Sequence, residues 1–159
     1  MIFREMRRSR QALSLEECKE ILTEGSSGVL ALAGDGGYPY AVPLSYVYDG
    51  NEIYFHCAKE GHKLDAIARC SKASFCVIQQ DLVVPEKFTT YYRSVIVFGQ
   101  ARVVETDREK RQVLELLAKK YSPKETEKLE TEIKGAWNHV CTVALSIDHI
   151  SGKRALELS

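Results

Sequence analysis

GVLALAG (residues 28–34), YPYAVPLSYVY (38–48), EIYFHCA (52–58) and KEGHKLDAIARCSKA (59–73) read in order as three strands and a helix. Asp35-Gly36-Gly37 and Asp49-Gly50-Asn51 separate the strands, and Gly and Asn tolerate the positive φ of tight hairpin turns. Within residues 52–58, Ile53, Phe55 and Cys57 alternate with Tyr54 and His56, so the two sets face opposite sides of a sheet. Pro39 and Pro43 interrupt otherwise strand-like sequence. Proline removes a ladder donor, which predicts an edge or broken strand with backbone N–H and C=O groups free to bind the polar edge of a planar cofactor. After the third strand the chain turns at Gly61 and opens a helix with His62 and Lys63 in its first turn. Unpaired N–H groups, a partial positive charge and an ammonium at one helix start point to a bound phosphate. The bland alternative is a polar hairpin end followed by a solvated helix start.

Working outward, Ser14-Leu15-Glu16-Glu17 forms a capping box that starts a helix carrying Leu15, Cys18 and Leu22 inward and ending at Gly25. The helix after Gly61 carries Leu64, Ile67 and Ala68 on one face. Residues 74–79 and 94–105 read as strands, the second with a bulge or bend at Gly99. Thr106 caps a helix with a Val113, Leu116, Leu117 and Tyr121 stripe, and Ser122-Pro123 caps another. Residues 139–147 give a closing strand, apolar on both faces and therefore central. About six strands joined mostly by hairpins, with three or four helices, predict one mainly β domain over residues 1–159, an antiparallel barrel with attached helices. A barrel this small has no room for a large ligand, so a site belongs on its wall or between subunits.

Lys and Arg total 22 and so do Asp and Glu, so the formal net charge is zero, which argues against general nucleic-acid binding. Arg4, Arg7, Arg8 and Arg10 read as a solvated N-terminal arm or, alternatively, as a phosphate or partner contact. The 5 cysteines form no CxxC pair and fit reduced thiols in a cytoplasmic protein. No signal peptide is visible at the start, and no run approaches the roughly 18–20 apolar residues of a membrane span. His56, Cys57 and His62 have metal-ligating side chains, but His56 and Cys57 are strand neighbours that point apart, so no metal is expected. Trp137 reads as a core or interface residue or as a ligand platform. No residue stands out as a catalytic acid or base.

Together these segments resemble the pyridoxamine 5′-phosphate oxidase-like FMN-binding split-barrel superfamily, and within it the 5-nitroimidazole-resistance (Nim)-like branch. The resemblance spans Arg7 to Arg154. It rests on the order of residues 28–32, 39–46, 54–58, 61–67, 94–99 and 150–153. It implies a six-stranded antiparallel split β-barrel and a homodimer with FMN at the subunit interface. Residues carried over as cofactor contacts are Pro43, Leu44 and Ser45 on the second strand, His56, Cys57 and Ala58 on the third, Gly61, His62 and Lys63 at the phosphate, and Ser94. Trp137 joins them as a candidate platform. The oxidase arginine before the phosphate lysine is His62 here. The strand arginine and lysine and the C-terminal arginine–histidine motif are missing, so oxidation of pyridoxamine phosphate is not expected. The implied function is that of an FMN-dependent oxidoreductase acting on a small molecule, with nitroimidazole-like compounds as candidate substrates. The alternative is a non-catalytic flavin- or haem-binding storage or sensor module.

Overall fold

The computed structural model describes residues 2–159. Its strands are β1 (Ser27–Ala33), β2 (Pro39–Ser45), β3 (Val47–Tyr48), β4 (Glu52–Ala58), β5 (Lys72–Val84), β6 (Thr89–Val103) and β7 (Val140–Arg154). They form one antiparallel sheet in the order β2-β1-β5-β6-β7-β4-β3. Four helices attach to it: α1 (Leu15–Glu24), α2 (His62–Arg69), α3 (Asp107–Tyr121) and α4 (Leu129–Ala136). The fold is a split barrel, mainly β. Among the described residues no helix is long and apolar enough to cross a membrane.

Seven strands replace the expected six because residues 38–48 divide at Tyr46. The first part pairs with β1, Pro39 opposite Ala33 through Ser45 opposite Ser27; the second pairs with β4, Val47 opposite Tyr54. One bent segment thus belongs to both ends of the sheet and rolls it up. At this seam Tyr46 is wholly buried, its ring edge-on to Phe75 at 4.9 Å and its hydroxyl donating to the Leu22 carbonyl at 2.6 Å. The end of α3 takes over the backbone groups of Tyr46. The Tyr121 hydroxyl accepts from the Tyr46 N–H at 3.0 Å, and Lys120 Nζ donates to the Tyr46 carbonyl at 3.0 Å and also to the Gly25 carbonyl. Groups lost from the ladder at the bend are therefore satisfied by side chains.

Inside the barrel pack Leu30, Phe55, Phe75, Val77, Val97 and Leu145, all fully buried. A second apolar cluster lies outside β4 and β7, where Val113 and Leu117 of α3 cover Tyr54 and Ala144. Tyr54 and Phe55 are therefore both buried, on opposite faces of one strand. The two-sided pattern of residues 139–147 has the same cause, since β7 lies between β6 and β4 under α3. The capping box forms: Ser14 Oγ accepts from the Glu17 N–H at 3.2 Å, and Glu17 Oε2 accepts from the Ser14 N–H at 2.8 Å.

Several local expectations need correction. Leu15 is exposed, and Ile21 joins Cys18 and Leu22 against the core, because α1 turns its second half rather than its first turn to the barrel. On α2 the buried pair is Ala66 and Ile67, with Ala68 exposed. Ser122 starts no helix. It ends α3 by donating its N–H to the Ala118 carbonyl at 2.7 Å, and α4 begins only at Leu129. The β5–β6 hairpin is longer than residues 79 and 94 suggest, because a register shift between Ile78 and Gln80 carries the strands past the polar Gln79-Gln80-Asp81 break. Gly99 sits at the β6–β7 register shift, where a Cβ would lie 1.9 Å from the Ser146 carbonyl oxygen. No side chain fits there.

Candidate functional site

Because β2 pairs only with β1, its second edge is open. Proline lacks an N–H, so the Val29–Pro43 and Ala33–Pro39 pairs occupy the ladder positions without hydrogen bonds, and the pattern alternates from there. Tyr40, Val42 and Leu44 direct their backbone groups at β1. The Ala41 and Ser45 N–H groups and the Ala41 and Pro43 carbonyls point to the open edge. Side chains alternate as well: Tyr40, Val42 and Leu44 pack on the core, whereas Pro43 and Ser45 are exposed. The two prolines thus sit where they cost the sheet nothing.

At Ala58 β4 ends, and the chain turns through Gly61, whose φ of 147° suits glycine, into α2. No side chain caps the start of α2, and apart from its chain neighbours no atom lies within 4 Å of where a Gly61 side chain would begin. Among the described residues no side-chain hydrogen bond or ion pair engages the Lys63 ammonium. His62 behaves differently. Its ring stacks on Tyr40 at 3.9 Å and 21°, and its Nε2 lies 3.9 Å from Asp35 Oδ2 and has no hydrogen-bond partner. Arg69, at the other end of α2, donates to Asp35 Oδ1 at 2.7 Å and, with His62 adding to the effect, holds that carboxyl below its usual range. His62 and Arg69 therefore dock α2 onto the β1–β2 hairpin. This sets the open helix start beside β2 at Tyr40.

Cys57 faces inward, directly opposite Cys141 of β7. Burial pushes its thiol up to about 11, the adjoining Cys141 thiol adds to the rise, and Lys63 opposes it. Such a raised value favours the folded state below the ordinary thiol range, and the benefit is lost as pH climbs through the interval up to about 11. Alkylation of Cys57 by iodoacetamide at pH about 8 should accordingly run about 100-fold slower than that of an exposed thiol. A pH–rate profile by peptide mass spectrometry that breaks at the ordinary thiol value would contradict this.

His56 is exposed on the opposite face, where with Ser45 it lines a groove of about 440 Å³ walled by Leu117, Tyr121, Leu129 and Ile133. The structure thus sets Ser45 and His56 on one groove and the start of α2 beside Tyr40 of β2, while Leu44 and Cys57 pack on the core. It brings Ser94 and Trp137 to neither place. Ser94 lies on β6 between Ile78 and Lys153, and Trp137 follows α4 with Lys110 Nζ 4.8 Å over its ring. Tyr40, Asp35, Arg69 and Cys141 were not legible as site components, since each acts through a partner distant in sequence. A larger cavity of about 890 Å³, lined by Phe3, Ala31, Lys72, Phe98 and Asp148, holds none of the expected residues.

The architecture recurs in solved structures. A conserved hypothetical protein from Mycobacterium tuberculosis superposes with a TM-score of 0.82 at 21% identity, over 97% of this chain and 92% of that one. A FAD- and haem-binding protein from Mycobacterium smegmatis gives a TM-score of 0.78 at 26% identity, over 92% and 74%. A candidate 5-nitroimidazole antibiotic resistance protein from Bacteroides thetaiotaomicron gives 0.76 at 19%, over 90% and 86%. No curated protein matches the sequence. Residues 14–154, from the α1 cap to the end of β7, match the pyridoxamine 5′-phosphate oxidase family, and the chain belongs to it.

Proposed function

We propose that the chain binds FMN at a homodimer interface and works as an oxidoreductase on small, largely apolar molecules, nitroimidazole-like compounds among them. The observation that carries the reading is the uncapped start of α2, with Lys63 unpartnered, held beside the edge strand β2 by the His62–Tyr40 stack. These residues fit the group. The α2 N–H groups and Lys63 match a phosphate, and the free N–H and C=O groups of Ala41, Pro43 and Ser45 match the polar edge of an isoalloxazine. When bound, the flavin supplies the redox chemistry. The protein orients it with β2, neutralises its phosphate with Lys63, and offers the Ser45–His56 groove to a small aromatic substrate.

The outer face of the sheet supports assembly. Pro43, Val29, Cys76 and Ile96 line up across four strands, with Ala41, Ala31, Ser74 and Phe98 in the next row. Ile96 and Phe98 are 42% and 40% exposed, a large apolar surface for a single chain to leave in water. Ser94 stands on this same face, so its part in flavin binding would be played across the interface. An obligate interface of this kind buries upwards of about 2,000 Å².

Heat-denatured protein should release FMN in roughly stoichiometric amount, or the apoprotein should take it up and acquire the yellow colour of an oxidised flavin. Release of FAD instead would correct the nucleotide. A Soret band without flavin would favour the non-catalytic haem module, which the FAD- and haem-binding relative supports. Lys63→Ala should weaken FMN about tenfold or more, the value of a charge-assisted hydrogen bond, and leave riboflavin binding unchanged. Equal losses for both ligands would mean that Lys63 acts through folding.

A further inference from the structure

We infer that Cys57 and Cys141 are a reversible disulfide site, closed by thiol–disulfide exchange with a small-molecule disulfide of the glutathione class. The two cysteines stand directly opposite one another on antiparallel β4 and β7. The Glu52 carbonyl turns to Asp49 beside β3 and the Thr142 carbonyl to Val104 after β6, so Cys57–Cys141 is a hydrogen-bonded pair of the β4–β7 ladder. Its Cα atoms stand about 5.5 Å apart, within the disulfide range, and its Cβ atoms lie at the wide end of about 4.5–5.5 Å, where a disulfide needs about 3.5–4.5 Å. The Cβ atoms must close by about 1 Å or more, and the place allows it. The ladder runs from Glu52–Ser146 to Ala58–Val140, so the cysteines form its next-to-last pair, where the strands are freest to draw together. The thiols already interact, Cys141 being the neighbour that raises Cys57 next after burial itself. Both are partly exposed, so a small disulfide can reach them. The other cysteines lie elsewhere: Cys18 on α1, Cys70 after α2, and Cys76 on the outer face of β5.

The reaction balances in two steps. One thiolate of the pair attacks the small disulfide, forming a mixed disulfide and releasing one small thiol. The second thiolate attacks the protein sulfur of that mixed disulfide and displaces the other small thiol. Two protein thiols become one disulfide, one small disulfide becomes two thiols, and the protons from the protein end on the released thiols. Burial of Cys57 keeps its thiolate scarce, so closure is slow at neutral pH and accelerates as pH rises. Opening by a thiol is slow when it attacks the Cys141 sulfur and expels Cys57, so it runs through attack on the Cys57 sulfur. Four residues past Cys57 the chain turns at Gly61, so the bridge would clamp the strand that leads into α2.

The test uses the whole chain, with and without FMN, incubated with oxidised glutathione and then denatured, alkylated with iodoacetamide and digested. Of the 5 thiols, two should be lost to alkylation, and one cross-linked peptide pair should join Cys57 to Cys141. The loss should speed up with pH and reverse with dithiothreitol. Cys57→Ser and Cys141→Ser should each abolish the cross-link; Cys76→Ser, on the outer face, should leave it intact and controls for folding. All thiols remaining free under conditions that oxidise a control dithiol, or a cross-link through Cys18, Cys70 or Cys76, would overturn the inference. The readout is mass, so it stands or falls independently of flavin binding.

Discussion

Tyr46→Ala is expected to be the most damaging single substitution inside the barrel, lowering stability by about 3–5 kcal/mol. For a chain of this size that corresponds to a fall in melting temperature of roughly 6–20 °C. The loss combines a cavity beside Phe75 with the removal of the hydrogen bond to the Leu22 carbonyl. Tyr46→Phe separates the two effects. It keeps the ring and leaves one buried carbonyl short of a donor, at a cost of about 1–3 kcal/mol. Burial also pushes the Tyr46 phenol well above its ordinary value. A raised phenol stabilises the fold below the ordinary tyrosine range, and that contribution drains away as pH rises above about 10. Urea melts of wild type and Tyr46→Phe should therefore converge at high pH. A constant gap across the alkaline range would mean that the hydroxyl is not titrated on unfolding.

The second large effect lies outside the barrel. Ile96→Asp puts a carboxylate in the middle of the outer apolar rows, at a position that a single chain leaves 42% exposed. Folding of the isolated subunit should change by no more than about 0.5 kcal/mol, since water reaches the new charge. Burying two such carboxylates in a symmetric interface costs several kcal/mol, enough to weaken association on the order of a thousandfold. Light scattering should show the mass fall from two chains to one, and FMN affinity should drop with it while Lys63 is untouched. A monomeric Ile96→Asp protein that binds FMN as tightly as wild type would show that the site is complete within one chain.

The two prolines were readable as an edge because proline's missing N–H acts on the strand that carries it, whatever the rest of the chain does. Gly61-His62-Lys63 was readable for the same reason: a helix start and its cation are local. The seam was not. Nothing near Tyr46 announces that its N–H and carbonyl will be met by Tyr121 and Lys120 from the far end of α3. Ser122-Pro123 misled because its helix-start signature falls where the Ser122 N–H closes α3 onto the Ala118 carbonyl. The β5–β6 hairpin beyond Ile78 was hidden by three polar residues, which a bulge lets the strand absorb. Trp137 was singled out by residue type alone, and its surroundings are the Lys110 side chain and the α3–α4 surface.

The place of β7 in the sheet bears on how the protein emerges from the ribosome. β4 is made early but pairs along its length with β7, the last strand of the chain. Translation of the stretch from Ala58 to Arg154 takes roughly 5–20 s at about 5–20 residues per second. Throughout that wait Phe55 has no barrel to enter and the β4 edge has no neighbour beyond the two residues of β3. A nascent chain stalled anywhere before Val140 therefore presents an apolar strand with an unmatched backbone, the kind of surface that chaperones hold and that aggregates grow from.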